Sequence, residues 1–302
     1  MTEPLVSICC VTYNHVDFIK KTLEGFLMQE TNFDYEICIG EDESNDGTRQ
    51  ICQNFAKINP EQIRLFLRSR KDVTFINGHA TGRYNFLETL KECKGKYIAL
   101  CEGDDFWTDP LKLQKQVEFL IKNNDYIMCY HKVAEPNIKP NNYKYYKKEI
   151  DSRFIPTCSV VFENNPKIIY QLERYGDGIL SGDQLLFYIL SFNGKIKLMN
   201  FIGGVYNQTK NGTSRSIGIR SKTWSINRIF MYSIIFKISP LKKKINLIKV
   251  AQNAVFNALK LGLKDPLIKY PYQSLKIIVL GLIFHPRYTF YRAKNLIKSK
   301  GI

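Results

Sequence analysis

Lys96-Tyr97-Ile98-Ala99-Leu100-Cys101-Glu102-Gly103-Asp104-Asp105 is the stretch that decides how this chain folds. Lys96 to Cys101 is an apolar run of strand length. Three carboxylates stand at its outlet. Phe106-Trp107-Thr108-Asp109-Pro110 then reads as a turn, and Leu111 to Ile121 as an amphipathic helix. Open α/β sheets gather their ligands at the C-terminal ends of strands. Crowded carboxylates repel one another, and a hard divalent cation relieves the repulsion. The rival reading is a solvated acidic loop that caps the next helix. The apolar strand leading straight into the cluster favours the metal reading.

The same pattern recurs upstream. Leu5 to Val11 reads as a strand ending in Thr12-Tyr13-Asn14-His15, followed by a helix over Val16 to Met28. Tyr35 to Gly40 reads as a second strand. It runs into Glu41-Asp42-Glu43-Ser44-Asn45-Asp46-Gly47-Thr48 and a helix from Arg49 to about Ile58. Asp46-Gly47 is turn chemistry, and Thr48 is placed to cap that helix. The first half thus reads β-α-β-α, with polar residues at every strand outlet. That pattern predicts a parallel sheet wound with helices, binding a nucleotide at its C-terminal edge.

Three of these segments resemble the family 2 glycosyltransferases. Val6-Ser7-Ile8-Cys9-Cys10-Val11-Thr12-Tyr13-Asn14 is similar to that family's opening strand. Glu41 to Thr48 resembles its second-strand turn, usually written D-D-G-S-x-D-G-T. Gly95 to Asp105 resembles the strand that ends in its D-x-D-type metal motif. Any one motif is weak, but three in order on strand outlets are strong together. Two positions depart from the pattern: Val11 stands for the usual Pro, and Glu43 for the usual Gly. The resemblance covers roughly residues 4 to 215. It implies an α/β GT-A nucleotide-sugar-binding fold with a mostly parallel central sheet.

It also implies residue roles. Asp105 would be the direct ligand of Mg²⁺ or Mn²⁺, and Asp104 would lie against the ribose or donor sugar. Asp42 would accept a hydrogen bond from the base, which favours uracil. Thr12, Tyr13 and Asn14 would line the base pocket, though strand propensity and aromatic packing account equally well for the first two. Gly182-Asp183 matches the family's G-D motif, making Asp183 the general base. Asp at a helix N-terminus is also stabilising by itself, worth under about 1 kcal/mol. Asp177, between two glycines, is the second candidate.

Other residues stand on their own chemistry. Arg83, in a Gly-bearing stretch before a helix over Phe86 to Cys93, is suited to clamp a phosphate or to make a plain surface contact. Asn85 reads as that helix's cap, and His79 as a loop residue. Ile155 to Phe162 reads as a strand that offers Thr157 and Ser159 to an acceptor, and Glu135 to Lys148 as an exposed loop. Asn207 to Arg215 reads as a segment closing over the diphosphate. It lacks the His found there in many relatives, which leaves Lys210 or Arg215 to meet the phosphates.

Composition divides the chain near residue 220. From residue 223 onward there are fifteen basic residues and one acid, Asp265, which is 14 of the net +16 charge. Residues 1–220 therefore read as the GT-A domain and 221–302 as a basic amphipathic helical extension. The extension's longest apolar runs, Ile229 to Phe236 and Ile277 to Phe284, are too short to span a bilayer. Their mixture of basic, apolar and aromatic residues suits an anionic membrane surface, with plain packing on the catalytic domain as the rival. No nucleic-acid motif accompanies them. The eight cysteines form no C-x-x-C pair and read as core residues in a reducing compartment. No signal peptide is legible.

These readings predict a metal-dependent, inverting enzyme, cytoplasmic and peripheral on the inner face of the cell membrane. It would move a sugar, most simply from a UDP-sugar, to a saccharide or lipid-linked acceptor in bacterial surface-polysaccharide synthesis. The alternatives are a nucleotidyltransferase, which would want a Gly-rich phosphate loop near Val11 to Val16, and a catalytically silent nucleotide-sugar-binding module.

Overall fold

The computed structural model describes residues 3–134, 155–207, 222–260, 271–284 and 286–299. Along the chain run β1 (Val6–Thr12), α1 (Ile19–Leu27), β2 (Tyr35–Glu41), α2 (Thr48–Ile58), β3 (Ile63–Leu67), β4 (Thr74–Ile76) and β5 (His79–Thr81). Next come α3 (Arg83–Glu92), β6 (Tyr97–Leu100), β7 (Phe106–Trp107), α4 (Lys112–Lys122), β8 (Tyr126–Ala134) and β9 (Val160–Glu163). Then follow α5 (Pro166–Gly176), α6 (Gly182–Asn193) and β10 (Lys195–Val205). Four further helices follow among the described residues: α7 (Lys222–Ile238), α8 (Leu241–Lys260), α9 (Pro271–Phe284) and α10 (Pro286–Ser299).

Eight strands form one sheet in the order β3-β2-β1-β6-β9-β8-β10-β7. The pairs β3-β2, β2-β1, β1-β6 and β8-β10 are parallel, while β9 and β7 run against their neighbours. The expected mostly parallel sheet is present. Its register sets β1 between β2 and β6, with Cys9 opposite both Cys38 and Leu100. The outlets of the three motif strands therefore lie side by side.

Strand side chains alternate between faces, and the two faces carry different cores. Val6, Ile8, Cys10, Ile37, Ile39, Ala99 and Cys101 join Leu23 and Phe26 of α1 and Leu113 and Val117 of α4. Cys9, Cys38, Ile98 and Leu100 lie in a second cluster with Leu172 of α5 and Leu185 to Leu190 of α6. That second cluster continues into Ile229, Met231 and Ile235 of α7, Ala251 and Val255 of α8 and Ile277 of α9. The composition boundary near 220 is thus crossed by one apolar core. All eight cysteines are buried and unpaired.

Local chemistry adjusts several expected details. Gly47, not Thr48, is the N-cap residue of α2; Asp46 Oδ1 accepts the Thr48 N–H at 2.9 Å, and the Thr48 hydroxyl accepts the His15 N–H. Asn85 lies inside α3, buried, and its Nδ2 donates to the Gly40 carbonyl at 2.8 Å. Thr157–Ser159 is a 3-10 turn that leads into β9, so the strand expected from Ile155 starts at Val160. The expected loop over 135–148 lies outside the described residues.

Candidate active site

The β1 outlet turns on Asn14, whose φ is +54°. The Asn14 N–H donates to the Ser44 hydroxyl at 2.9 Å, and Asn14 Oδ1 accepts the Asn45 N–H at 3.1 Å. It ties the first outlet to the second and leaves Tyr13 half exposed beside Asp42. Arg70, just past β3, completes this corner. Its Nη1 bonds Asp42 Oδ2 at 2.6 Å, and its guanidinium lies 4.2 Å from the Tyr13 ring centroid. Burial holds the Asp42 carboxyl above its ordinary value although Arg70 pulls it down. An aromatic face next to a buried hydrogen-bond acceptor suits a planar base.

Neighbouring Glu41 is fully buried and structural: it pairs with Arg49 Nε and accepts the Ser44 N–H at 2.8 Å. Arg70 was missed by sequence reasoning. The only available signal was the run Arg68-Ser69-Arg70-Lys71 at the third strand outlet.

The acidic corner lies one strand over. Gly103 is required there, since a Cβ would lie 2.4 Å from Thr12 Oγ1 and 3.0 Å from His15 Nδ1. Buried Thr12 faces His15, with Oγ1 to Nδ1 at 3.2 Å, and His15 Nε2 lies 3.9 Å from Asp104 Oδ2. Thr22 of α1 donates to the Asp105 carbonyl at 2.6 Å, pinning the turn from below.

Asp105 is 1% exposed. Its Oδ1 accepts the Asn207 N–H at 2.7 Å, and Asn207 Nδ2 donates to the Asp104 carbonyl at 2.6 Å. Burial first, then Asp104 and Glu102, pushes the Asp105 carboxyl well above its ordinary value. Glu102 keeps solvent access while protein surrounds it. That poor hydration, followed by Asp104 and Asp183, pushes it up to about 8, with a Thr157 hydrogen bond opposing. Glu102 was quoted in the motif but not assigned as a site residue, and it links the acidic turn to Asp183.

Asp183 stands half-buried in the first turn of α6. Burial raises its carboxyl, and backbone N–H groups including that of Gln184 partly offset this. Arg83 is held by protein groups. It braces the turn between α5 and α6: Nη2 donates to the Ile179 carbonyl at 3.1 Å, and a Cβ at Gly176 would meet Nη1 at 2.1 Å. Burial lowers its pKa and Asp177 opposes that. Asp177 therefore faces Arg83, and no link from Asp177 to Glu102 matches that of Asp183. Ser159 is buried and turned onto the Pro156 carbonyl at 2.7 Å, whereas Thr157 reaches Glu102. Lys210 and Arg215 lie outside the described residues.

Among the described residues, no three His, Cys, Asp or Glu side chains are grouped to hold a metal ion alone. Asp104 and Asp105 are nevertheless hard oxygen donors, with Asp104 close enough to raise the proton affinity of Asp105. That suits a cation whose other ligands come from a phosphate and water.

Residues 7–182 match the family model for Glycosyl transferase family 2. The match ends one residue before Asp183. An uncharacterized protein of Mycobacterium tuberculosis is 36% identical over 172 residues, covering 53% of this chain and 47% of that protein. The UDP-Glc:alpha-D-GlcNAc-diphosphoundecaprenol beta-1,3-glucosyltransferase WfgD of Escherichia coli is 30% identical over 125 residues, covering 41% of this chain and 44% of that protein. The chain spans about half the length of the curated relatives it matches. Among solved structures, S. aureus TarS 1-349 in complex with UDP-GlcNAc superposes with a TM-score of 0.63 at 13% identity, covering 97% of this chain and 88% of that one. The mannosyltransferase PcManGT of Pyrobaculum calidifontis, with GDP-Man and Mn2+, gives 0.55 at 16% identity, covering 99% and 87%. At such identities these two likenesses speak for the fold alone.

Proposed function

This chain belongs to glycosyl transferase family 2, with the GT-A fold, and from that membership we propose a metal-dependent, inverting transfer from a UDP-sugar. One observation carries the reading: the base-sized corner at Tyr13, Asp42 and Arg70 and the acidic corner at Glu102, Asp104 and Asp105 adjoin on one sheet edge, with Asp183 facing Glu102. Asp42 accepts the ring N–H of uracil while the base lies against Tyr13. Asp104 holds the ribose or the donor sugar. A Mg²⁺ or Mn²⁺ ion held by Asp105 would neutralise the diphosphate. Thr12 and Asn14, held by His15, Ser44 and Asn45, line the base pocket beside Tyr13.

Asp183 takes the proton from the acceptor hydroxyl. The acceptor oxygen then bonds to the anomeric carbon as the bond to the diphosphate breaks, and the diphosphate leaves with the electron pair. A single displacement inverts the anomeric centre. The UDP-sugar ligand of TarS and the UDP-Glc donor and diphosphoundecaprenol acceptor in the name of WfgD support a UDP-sugar and a lipid-linked or saccharide acceptor here. Surface-polysaccharide synthesis at the cytoplasmic face of a membrane follows as the setting, with residues 1–220 as the catalytic unit and 221–302 as the basic extension. Among the described residues no helix is long and apolar enough to cross a membrane, which suits peripheral attachment.

The test is a screen of nucleotide sugars for release of nucleoside diphosphate, with and without chelator. UDP-sugars should be turned over only with the metal. Asp105→Ala should cut turnover by several orders of magnitude. Asp183→Asn should cut it ~10²–10⁴-fold while donor affinity holds. Full turnover in excess chelator would sink the metal dependence. Tight donor binding with no turnover, under any acceptor, would favour the silent module.

A further inference from the structure

The last described helix is amphipathic the wrong way round. α10 meets α8 through polar contacts: Gln252 Nε2 donates to Thr289 Oγ1 at 2.8 Å, the Tyr288 hydroxyl to Asn253 Oδ1 at 2.5 Å, and Arg292 Nη2 to Asn257 Oδ1 at 2.6 Å. Its opposite face carries Phe290 and Tyr291, 66% and 62% exposed, between Arg287 and Lys294. α9 is apolar outward as well as inward. It buries Ser274 and Ile277 against the protein and exposes Tyr272, Leu275, Val279, Leu282 and Ile283, with Lys276 among them. Positions 272, 275, 276, 279, 282 and 283 are separated by threes and fours, so they share one helical stripe. A core-facing helix has this pattern turned inward. Here apolar and aromatic side chains face out, which a soluble surface rarely tolerates over a contiguous area.

We infer that the outward face of α9 and α10 is a docking surface for an anionic lipid bilayer. This rests on the peripheral membrane setting proposed above and narrows it from an 80-residue extension to one face of two helices. Charge selects the occupant. Residues 271–299 contain no acid, so a second copy of this chain would press Lys276, Arg287 and Lys294 against their own like charges. An anionic headgroup layer meets those three cations, while the apolar stripe enters the acyl boundary and the aromatic rings sit at the interface. α7 and α8 are not part of the surface: Ile229, Ile235 and Val255 are spent in the core.

The experiment is flotation of the full chain with phosphatidylcholine vesicles, with and without about one third phosphatidylglycerol. Two sets of substitutions on exposed positions are compared with wild type: Lys276→Ala, Arg287→Ala, Lys294→Ala, and separately Leu275→Ser, Val279→Ser, Ile283→Ser. Wild type should bind only the anionic vesicles, less as salt rises. The charge set should bind about a hundredfold more weakly, near fivefold per cation. The apolar set should lose at least about tenfold. Both should keep wild-type donor affinity, which reports an intact fold. Wild type that ignores anionic vesicles at low salt, or variants that bind as well as wild type, would overturn the inference. So would variants that break a dimer in sedimentation while vesicle binding stays unchanged. Flotation needs no donor, so a chain that docks yet turns over no nucleotide sugar refutes the enzyme reading and leaves this one standing.

Discussion

Glu43 holds a backbone conformation that side chains avoid, with φ at +59°. This is the position where the family pattern usually has Gly. The strain, about 1–2 kcal/mol, is offset by what its carboxylate does: it accepts the Arg70 N–H at 2.5 Å and the Ser69 hydroxyl at 3.3 Å. Glu43 thereby positions Arg70 over Tyr13. Glu43→Gly should leave stability within about 1 kcal/mol of wild type by chemical denaturation, while calorimetry shows several-fold weaker UDP binding. Unchanged binding would mean that the Asp42 contact alone places Arg70. Tyr13 and Asp42 were legible because each sits in a motif. Arg70 was not, because its partner is 28 residues away and only the β2-β3 register joins them. Lys112 is a second case. It is fully buried, 3.6 Å from the Trp107 ring centroid, with no hydrogen-bond partner for Nζ among the described residues. Burial brings its pKa down to about 7. The unfolded chain then binds that proton more tightly than the folded one, so stability should climb as pH rises from about 7 toward 10.5. Lys112→Met should flatten that climb and add on the order of 1–3 kcal/mol at pH 7, read from urea unfolding at two pH values. A loss of stability at pH 7 would reveal a favourable contact for the charged amine.

At the level of elements, the turn between α5 and α6 depends on one side chain from α3. Arg83 fills the space over Gly176 and bonds Ile179, four residues before Asp183. Arg83→Met should slow turnover at least about tenfold through misplacement of the base, with KM for the donor unchanged. A rise in donor KM at constant kcat would return Arg83 to the phosphates. The three motif strands β1, β2 and β6 and the helices α1, α2 and α4 were readable from period and turn chemistry, to within a few residues at each end, whereas β3, β4, β5 and β8 were not read and β7 was read as part of a turn. β9 was harder. Ile155 to Phe162 is rich in β-branched and apolar residues, and nothing in such a run reveals that Thr157–Ser159 coils before the strand begins or that β9 runs antiparallel. β10 runs from Lys195 through Val205, and its register against β8 shifts between Met199 and Gly204. Asn85 looked like a cap and is instead a buried tether to β2, a role that appears only once α3 lies on Gly40.

For the whole molecule, charge and packing give different boundaries. The net charge changes near 220, while the apolar core runs through α6, α7 and α8 without a break. Ending the chain at 220 should expose Leu185 to Leu190 and give an insoluble product. Ending it at 260 should leave a folded chain that binds UDP but no longer floats with anionic vesicles, as read by calorimetry and flotation. A soluble, donor-binding 1–220 fragment would restore the composition boundary as a folding boundary. The eight buried thiols bear on how this molecule breathes. A thiol reagent can reach none of them until some part of the chain opens, so labelling rates become a map of local opening. Cys101 and Cys158 lie behind Asp105, and Cys52 is on the buried face of α2, next to Glu41 rather than Asp105. A bound donor should therefore lengthen the labelling lifetime of the first two far more than that of Cys52, and the chain's own cysteines become a clock for the active-site edge.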